Sequence, residues 1–589
     1  MLLWPMMSLK PASGRLWLAA GALLVVFFLQ VLFVSLWKSP NWDEPGHIAA
    51  GLTYVETGNF LVNPQHPPLL KELSGLALML SGARLPEGPP TREFLKGNPD
   101  YQWMVGSKIL VTGDLERNLL RARLPLMLVA VLLATLLFVW GRQLIGAAAA
   151  LGGLFLFALD PTMIAHAGFV TMDVGSAAFM VLMLFAVWNY VQRPGARRLV
   201  LCGLAMGAAL TAKFTALFLL PVVGVLLLAA VRWGPQSAAA SGVQRVTAPD
   251  DLCSCGSGRK HKNCHGKASQ GKAAGMATFD YMPYGRAAGA FLLMLGIALL
   301  AIEVVYGFHG GVGRYIAGMR LVNVDHDADY LTFMGGQLRY RFPNYFAVAY
   351  LLKEPLAALI LAGLGVFQLL RARDIGILAK LFLLLPPVVL FAAHSLFADG
   401  LGIRYIIGVL PFTCLAGGLG LASLVGSGST AKRCVAGVLC VWSAVAAAGI
   451  YPDQLSYFNE MACLDEPGKI GLDGGSRCGT LWLDDSNVDW GQGLKQLSDW
   501  TEANAKGRPI RLAYFGSFPP EVYGLPPQSQ SLTSMDLMRV PAPGLYAVSA
   551  HLYAHTNGMI DKFRQGSVWM RITQPRAVVG HAYYIYDIR

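Results

Sequence analysis

Charge is scarce in this sequence. Aspartate, glutamate, lysine and arginine together make up 14% of 589 residues, where a soluble domain carries about a quarter. With 54% hydrophobic residues and a mean hydropathy of +0.48, that scarcity excludes a soluble globular protein and points to a polytopic membrane protein. No internal repeat is visible and no long low-complexity tract. No small-residue cleavage site follows the first apolar run, so that run reads as an uncleaved first helix and not a removed signal.

What is present in abundance is apolar sequence of membrane-spanning length. Crossing the hydrocarbon core takes about 20 apolar residues, and eleven segments approach or meet that: 15–37, 121–141, 146–166, 174–191, 199–213, 214–232, 286–307, 345–370, 376–397, 405–426 and 434–451. The net charge of +12 is distributed as a topology signal and does not indicate nucleic acid. With a cytoplasmic N-terminus, "QRPGARR" (192–198), "GRKHKNCHGK" (258–267), "RAR" (371–373) and "AKR" (431–433) all fall inside. Residues 38–120, 308–344 and everything after about 452 then lie outside. The expected location is a bacterial inner (cytoplasmic) membrane, with the C-terminus extracytoplasmic.

Four parts follow. Residues 1–232 form a membrane core with its first outer loop (38–120), 233–285 a hydrophilic cytoplasmic insert, 286–451 the remaining spans and 452–589 an outer domain. In the outer loop "HPPLLKELSGLALMLSG" reads as a surface helix started by prolines. The last part carries strand-like runs ("IRLAYF", "GLYAVSAHL", "AVVGHAYYIYDI") and one helix, "GQGLKQLSDWTEANAKG". Of the nine cysteines, Cys202, Cys414, Cys434 and Cys440 lie in apolar spans as packing residues. Cys463 and Cys478 share the oxidising outer compartment and are candidates for a disulfide.

Chemistry concentrates at one membrane face. "SPNWDEPGH" places Asp43, Glu44 and His47 where the first span ends, and "NPQHPPLLKEL" adds His66 and Lys71 in the same loop. "DPTMIAHAGFVTMDVGSA" brings Asp160, His166 and Asp173 to that face, and the next outer end carries Lys213. Ionisable groups on several helices at one membrane face suggest a shared cavity, because their burial is costly and usually functional. The plainer readings are that Asp43 and Glu44 start the next helix, that Lys213 snorkels, and that Asp160 before Pro161 ends a helix.

A "DE" shortly after the first span, followed by "HPPL-K", resembles the protein O-mannosyltransferases of glycosyltransferase family 39. "VTMDVG" and "LTAKFTAL" are placed as in the lipid A aminoarabinose transferases, and "GIRYIIGVLPF" (402–412) and "YPDQLSYFNE…LDDSNVDWGQGLK" (451–495) resemble bacterial family-39 proteins. The resemblance implies a mainly α, GT-C membrane fold with about eleven transmembrane helices and a small α/β C-terminal domain. It implies sugar transfer from a polyprenyl-phosphate-linked donor to a hydroxyl of a protein, lipid or envelope glycan. On that reading Asp43 is the base of an inverting displacement, and Glu44 and Asp173 bind acceptor or sugar or hold the base. Lys213 and Arg404, with His66 and Lys71, face substrate and lipid phosphate. Asp43, Glu44 and Asp173 are also able to hold a divalent ion, although no outer metal cage calls for one. A transporter or flippase competes with this reading; clustering at one face and the missing inverted repeat count against it. A non-catalytic assembly factor leaves the "DE…HPPL" loop unexplained.

The insert carries a separate signal. "DLCSCGSGRKHKNCHGK" spaces Cys253, Cys255, Cys264 and His265 as a closed tetrahedral zinc set. It resembles the SEC-C zinc motif that ends the SecA translocase, and implies a structural zinc and docking to a cytosolic protein partner.

Overall fold

The computed structural model describes residues 14–235, 282–324 and 330–589. The expected zinc ligands Cys253, Cys255, Cys264 and His265 lie outside the described residues. Helices of seven residues or more are, in chain order, α1 (Gly14–Trp37), α2 (Glu44–Thr57), α3 (Leu69–Leu80), α4 (Pro89–Leu95), α5 (Gln102–Val111) and α6 (Leu115–Ile145). They continue with α7 (Ala147–Ala158), α8 (Pro161–Ala167), α9 (Asp173–Gln192), α10 (Ala196–Ala212), α11 (Leu219–Trp233), α12 (Met282–Val305) and α13 (Gly311–Val324). The remainder are α14 (Tyr345–Lys353), α15 (Leu356–Arg371), α16 (Ile377–Phe397), α17 (Leu410–Gly426), α18 (Thr430–Gly449), α19 (Leu494–Asn504) and α20 (Ala550–Phe563).

Among the described residues eight helices are long and apolar enough to cross a membrane, or up to ten if each bent pair counts as one span. The expectation of eleven differs through α10, whose 17 residues stop short of a full span. Two expected spans are also broken. The segment 146–166 bends by 64° where Leu159 and Asp160 precede Pro161, and 345–370 bends by 112° where Glu354 precedes Pro355. A residue before proline is pushed out of the helical region, so each Pro starts a new helix in a new direction. Asp160 takes the turn role, accepting the Met163 amide at 2.9 Å.

Small residues let the bundle close. In α10, "GLAMG" places Gly203 and Gly207 against α12, where a Cβ at Gly207 would stand 2.5 Å from the Ala301 side chain. Helix α12 also packs against α11, so the two helices that flank residues 236–281 are direct neighbours. In the loop after α1, α2 and α3 cross where Gly51 meets Gly75; a Cβ on Gly51 would lie 2.0 Å from the Lys71 carbonyl. Of the cysteines expected to pack, Cys202 and Cys414 are buried, whereas Cys434 is exposed on an outward face of α18 and Cys440 is half-buried.

The C-terminal domain holds a four-stranded sheet of β3 (Ile510–Ala513), β4 (Gly544–Ser549), β6 (Tyr583–Ile588) and β5 (Ala577–Val579), in that order. A separate hairpin pairs β1 (Thr332–Met334) with β2 (Gln337–Arg339). Strands β3 and β4 are parallel and the other sheet pairs antiparallel. The single run "AVVGHAYYIYDI" becomes a hairpin because Gly580 and His581 both take positive φ, +59° and +50°. Cys463 and Cys478 form a disulfide that closes a short loop of this domain.

That domain is bonded directly to the chain leaving α1. The Lys38 ammonium donates to Asp453 at 2.5 Å and to Gln496 at 2.7 Å, and the Trp42 amide donates to the Trp490 carbonyl at 2.8 Å. On its other side Asp453 accepts from His581, which also meets Asp473 at 3.3 Å. Burial alone lowers the His581 pKa, but the hydrogen bonds and charges of Asp453 and Asp473 reverse this and raise it to about 9.

A pH prediction follows with its sign. The folded His581 pKa lies above the unfolded value of about 6.5, so its stabilisation is complete below that pH and is lost as pH rises through about 9. Thermal melts in detergent between those limits should show Tm falling, and His581→Gln should flatten that fall. An unchanged slope in the variant assigns the dependence to other groups.

Candidate functional site

The site is built from the six residues after α1. Asn41 turns the chain, its Oδ1 accepting from the Asp43 and Glu44 amides at 3.0 Å each, and Pro45 stands in the first turn of α2. This geometry sends the two neighbouring carboxylates in different directions. Glu44 goes inward and is fully buried. The Arg123 guanidinium meets it as a fork, Nε to Oε1 at 2.8 Å and Nη2 to Oε2 at 2.6 Å. Glu44 also accepts the amides of Asn41 and Val170 at 3.0 and 2.9 Å. Arg123 spends its remaining donors on the carbonyls of Ser35, Lys38 and Ser39. Glu44 therefore has no oxygen free for a substrate.

Asp43 points the other way, and its side chain keeps 25% exposure. Its Oδ2 accepts from Arg404 Nη1 at 2.8 Å. Arg404 lies over the Trp490 ring, 4.2 Å from its centroid, and 5.4 Å from that of Tyr405. A second ion pair stands alongside: Lys213 donates to Asp173 at 2.6 Å and sits 5.3 Å over the same Tyr405 ring. Asp173, Lys213, His394, Arg404 and Tyr405 line one cleft, which Asp43 joins through Arg404. Four of the residues singled out in the sequence, from four separate segments, are thus brought together as two carboxylate–cation pairs. Asp43, Glu44 and Asp173 do not converge as one ion-binding set, since Glu44 is saturated and each of the others faces a cation.

The remaining expectations fare differently. Lys71 is fully buried, and its ammonium donates to Tyr54 Oη, Asn63 Oδ1 and the carbonyls of Asn63 and His66. It braces the loop from below and is not available to a lipid phosphate, a correction to its expected role. Burial holds its pKa well below the ordinary lysine value. The His66 ring lies edge-on to His47 at 5.6 Å. Burial lowers the pKa of both, with the His47 charge adding to the shift at His66. His47 Nδ1 contacts the Val170 carbonyl at 2.8 Å.

Sequence reading passes over Arg123, Lys353 and the pair His551 and His555, and meets Asp485 only as part of the "LDDSNVDWGQGLK" stretch. Arg123 had a usable signal, a cation at the start of an apolar run. Lys353 donates to the carbonyls of Leu455 and Asn487, both at 2.7 Å. Asn487 Oδ1 accepts the Ile403 amide at 3.0 Å, next to Arg404. Asp485 is buried with φ +52° and takes part in the electrostatics of Arg404. These contacts depend on how the C-terminal domain docks, which no local pattern encodes.

Removing one partner of a buried ion pair leaves an uncompensated charge and costs about 3–5 kcal/mol. Glu44→Gln and Arg123→Met should each destabilise by that order in denaturant unfolding. Asp43→Asn, at a partly exposed pair, should cost under about 1 kcal/mol. Equal losses at Asp43 and Glu44 would overturn the division of roles.

The comparisons with known proteins agree with part of the resemblance noted above. Two solved structures of ArnT from Cupriavidus metallidurans, one bound to undecaprenyl phosphate and one in the apo state, align at 14% and 15% identity. Each alignment covers 98% of this chain and 98% of that chain, with a TM-score of 0.43. The Archaeoglobus fulgidus oligosaccharyltransferase AglB, solved with an inhibitory peptide and a dolichol-phosphate, aligns at 13% identity over 82% of this chain and 58% of that one, TM-score 0.41. No curated protein matches the sequence significantly. Residues 251–267 match the SEC-C motif, and residues 98–241 match the family described as dolichyl-phosphate-mannose-protein mannosyltransferase.

Proposed function

We propose that this protein is a membrane glycosyltransferase of GT-C type that moves a sugar from a polyprenyl-phosphate-linked donor to an acceptor hydroxyl. The observation that carries the reading is the pair of carboxylate–cation contacts, Asp43–Arg404 and Asp173–Lys213, whose cations both lie at the Tyr405 ring. The family match over residues 98–241 supports it. Reaction needs a base beside the incoming hydroxyl and cations at the departing phosphate, and these four residues supply both kinds of group in one place.

In the resting arrangement Asp43 and Arg404 neutralise one another. A donor phosphate entering the cleft competes for Arg404 and Lys213, and the more strongly it holds Arg404 the more fully the Asp43 carboxylate is released. The acceptor oxygen then attacks the anomeric carbon from the face opposite the phosphate, its proton passing to Asp43. The carbon–phosphate oxygen bond breaks, and Lys213 and Arg404 receive the charge left on the lipid phosphate. Asp173 holds Lys213 in position, and Glu44 fixes the backbone that aims Asp43. Inversion at the anomeric carbon is the stereochemical outcome.

The insert contributes separately. Three thiolates and an imidazole, from Cys253, Cys255, Cys264 and His265, are a donor set suited to a closed structural zinc, and the module would dock a cytosolic protein. The Lys- and Arg-rich loops support a topology with the insert in the cytoplasm and the C-terminal domain outside. Reporter fusions at residues 250 and 500 should therefore report opposite sides of the membrane.

General-base catalysis contributes about 10²–10⁴ in rate, so Asp43→Asn should lower turnover of a polyprenyl-phosphate sugar by that order with little change in donor binding. Near-normal turnover in Asp43→Asn, with Asp173→Asn inactive, names the wrong base.

A further inference from the structure

A cluster in the C-terminal domain has no part in this mechanism. His551 and His555 stand four residues apart on α20, hence on one face of the helix, whose start is capped by Ser549. Facing them is the first carboxylate of "LDDSN". Asp484 Oδ2 lies 3.5 Å from His551 Nδ1 and 2.9 Å from His555 Nδ1. The three candidate ligand atoms all lie within 4.8 Å of one another.

We propose that Asp484, His551 and His555 form a binding site for a divalent transition metal of the zinc class. Bonds of about 2.0–2.2 Å to a tetrahedral ion separate neighbouring ligand atoms by about 3.3–3.5 Å, against 3.5 and 2.9 Å between Asp484 and the two imidazoles. Asp484 is fully buried and its second oxygen, Oδ1, has no hydrogen-bond partner, an orphaned acceptor that a cation would satisfy. Two imidazoles and a carboxylate favour zinc over magnesium or calcium, which prefer oxygen alone. Three protein ligands leave a fourth position for water or a substrate oxygen. His555, whose side chain is 17% exposed, gives the route in, and the Tyr330 ring stands 6.4 Å from it.

Without an ion, the two imidazoles are held by other partners. The Asp485 amide donates to His551 Nδ1 at 3.0 Å, and His555 Nδ1 shares a proton contact with Asp484. Loading exchanges both contacts for metal bonds and leaves the His555 proton on Nε2, so both rings bind as neutral ligands. The ion would then tie α20 to the turn whose next residue, Asp485, faces Arg404.

The test must separate this site from the cysteines of the insert. Full-length protein carrying Cys253→Ser and Cys255→Ser, stripped with EDTA and titrated with zinc, should bind one ion per chain by calorimetry. Cobalt bound in its place should give tetrahedral d–d absorption without thiolate charge transfer. Adding His551→Gln and His555→Gln should abolish both signals. No binding by the cysteine-substituted chain, which keeps all three proposed ligands, overturns the proposal. So does binding that survives loss of both histidines.

Discussion

A buried guanidinium whose every donor must find an acceptor shapes the end of this protein where α1 gives way to the site. Arg123 enters from α6 and meets Glu44 together with the carbonyls of Ser35, Lys38 and Ser39. Leaving any of these contacts unmade in a dry interior is expensive. The chain after α1 consequently has one acceptable path: it wraps the guanidinium, turns at Asn41 and starts α2 with Glu44 inward. Asp43 faces the cleft because its neighbour cannot. The identity of the inward residue therefore sets the direction of the outward one, and the polar network acts as an orienting device as much as a stabilising one.

The C-terminal domain completes the same layer. Lys38, Lys353 and the Ile403 amide all find their partners in it, at Asp453, at the Leu455 and Asn487 carbonyls, and at the Asn487 side chain. Ser486 donates to the Leu401 carbonyl, a second tie to the segment that carries Arg404. Trp490 supplies the face on which the Arg404 guanidinium rests. The chain leaving α1, the end of α14 and the segment that carries Arg404 are thus all registered against this one domain, and the spacing between Asp43 and Arg404 depends on residues more than four hundred positions downstream of the first of them.

The sequence made much of this legible. Long apolar runs mark the spans because no other solvent tolerates them, and the acidic pair after α1 stands out because charge is otherwise scarce. Strands β3 and β4, β6 and helix α19 follow from their apolar periodicity. The breaks at Pro161 and Pro355 were visible as prolines, but their bends of 64° and 112° depend on packing. Lys71 misled because a lysine beside a reactive loop looks like a ligand for phosphate. Only the three-dimensional path shows that Tyr54, Asn63 and the His66 carbonyl already surround it. His551 and His555 looked unremarkable because their partner, Asp484, lies 67 and 71 positions upstream.

Helix α12 packs against both α10 and α11. The chain that leaves α11 therefore returns to a helix already touching it, whatever lies between the two. For a segment whose ends are fixed by the core, the entropic cost of added length grows only slowly. The junction between residues 235 and 282 is thus an open socket in the design. A longer segment, or a few residues alone, fits there with the same contacts between α11 and α12.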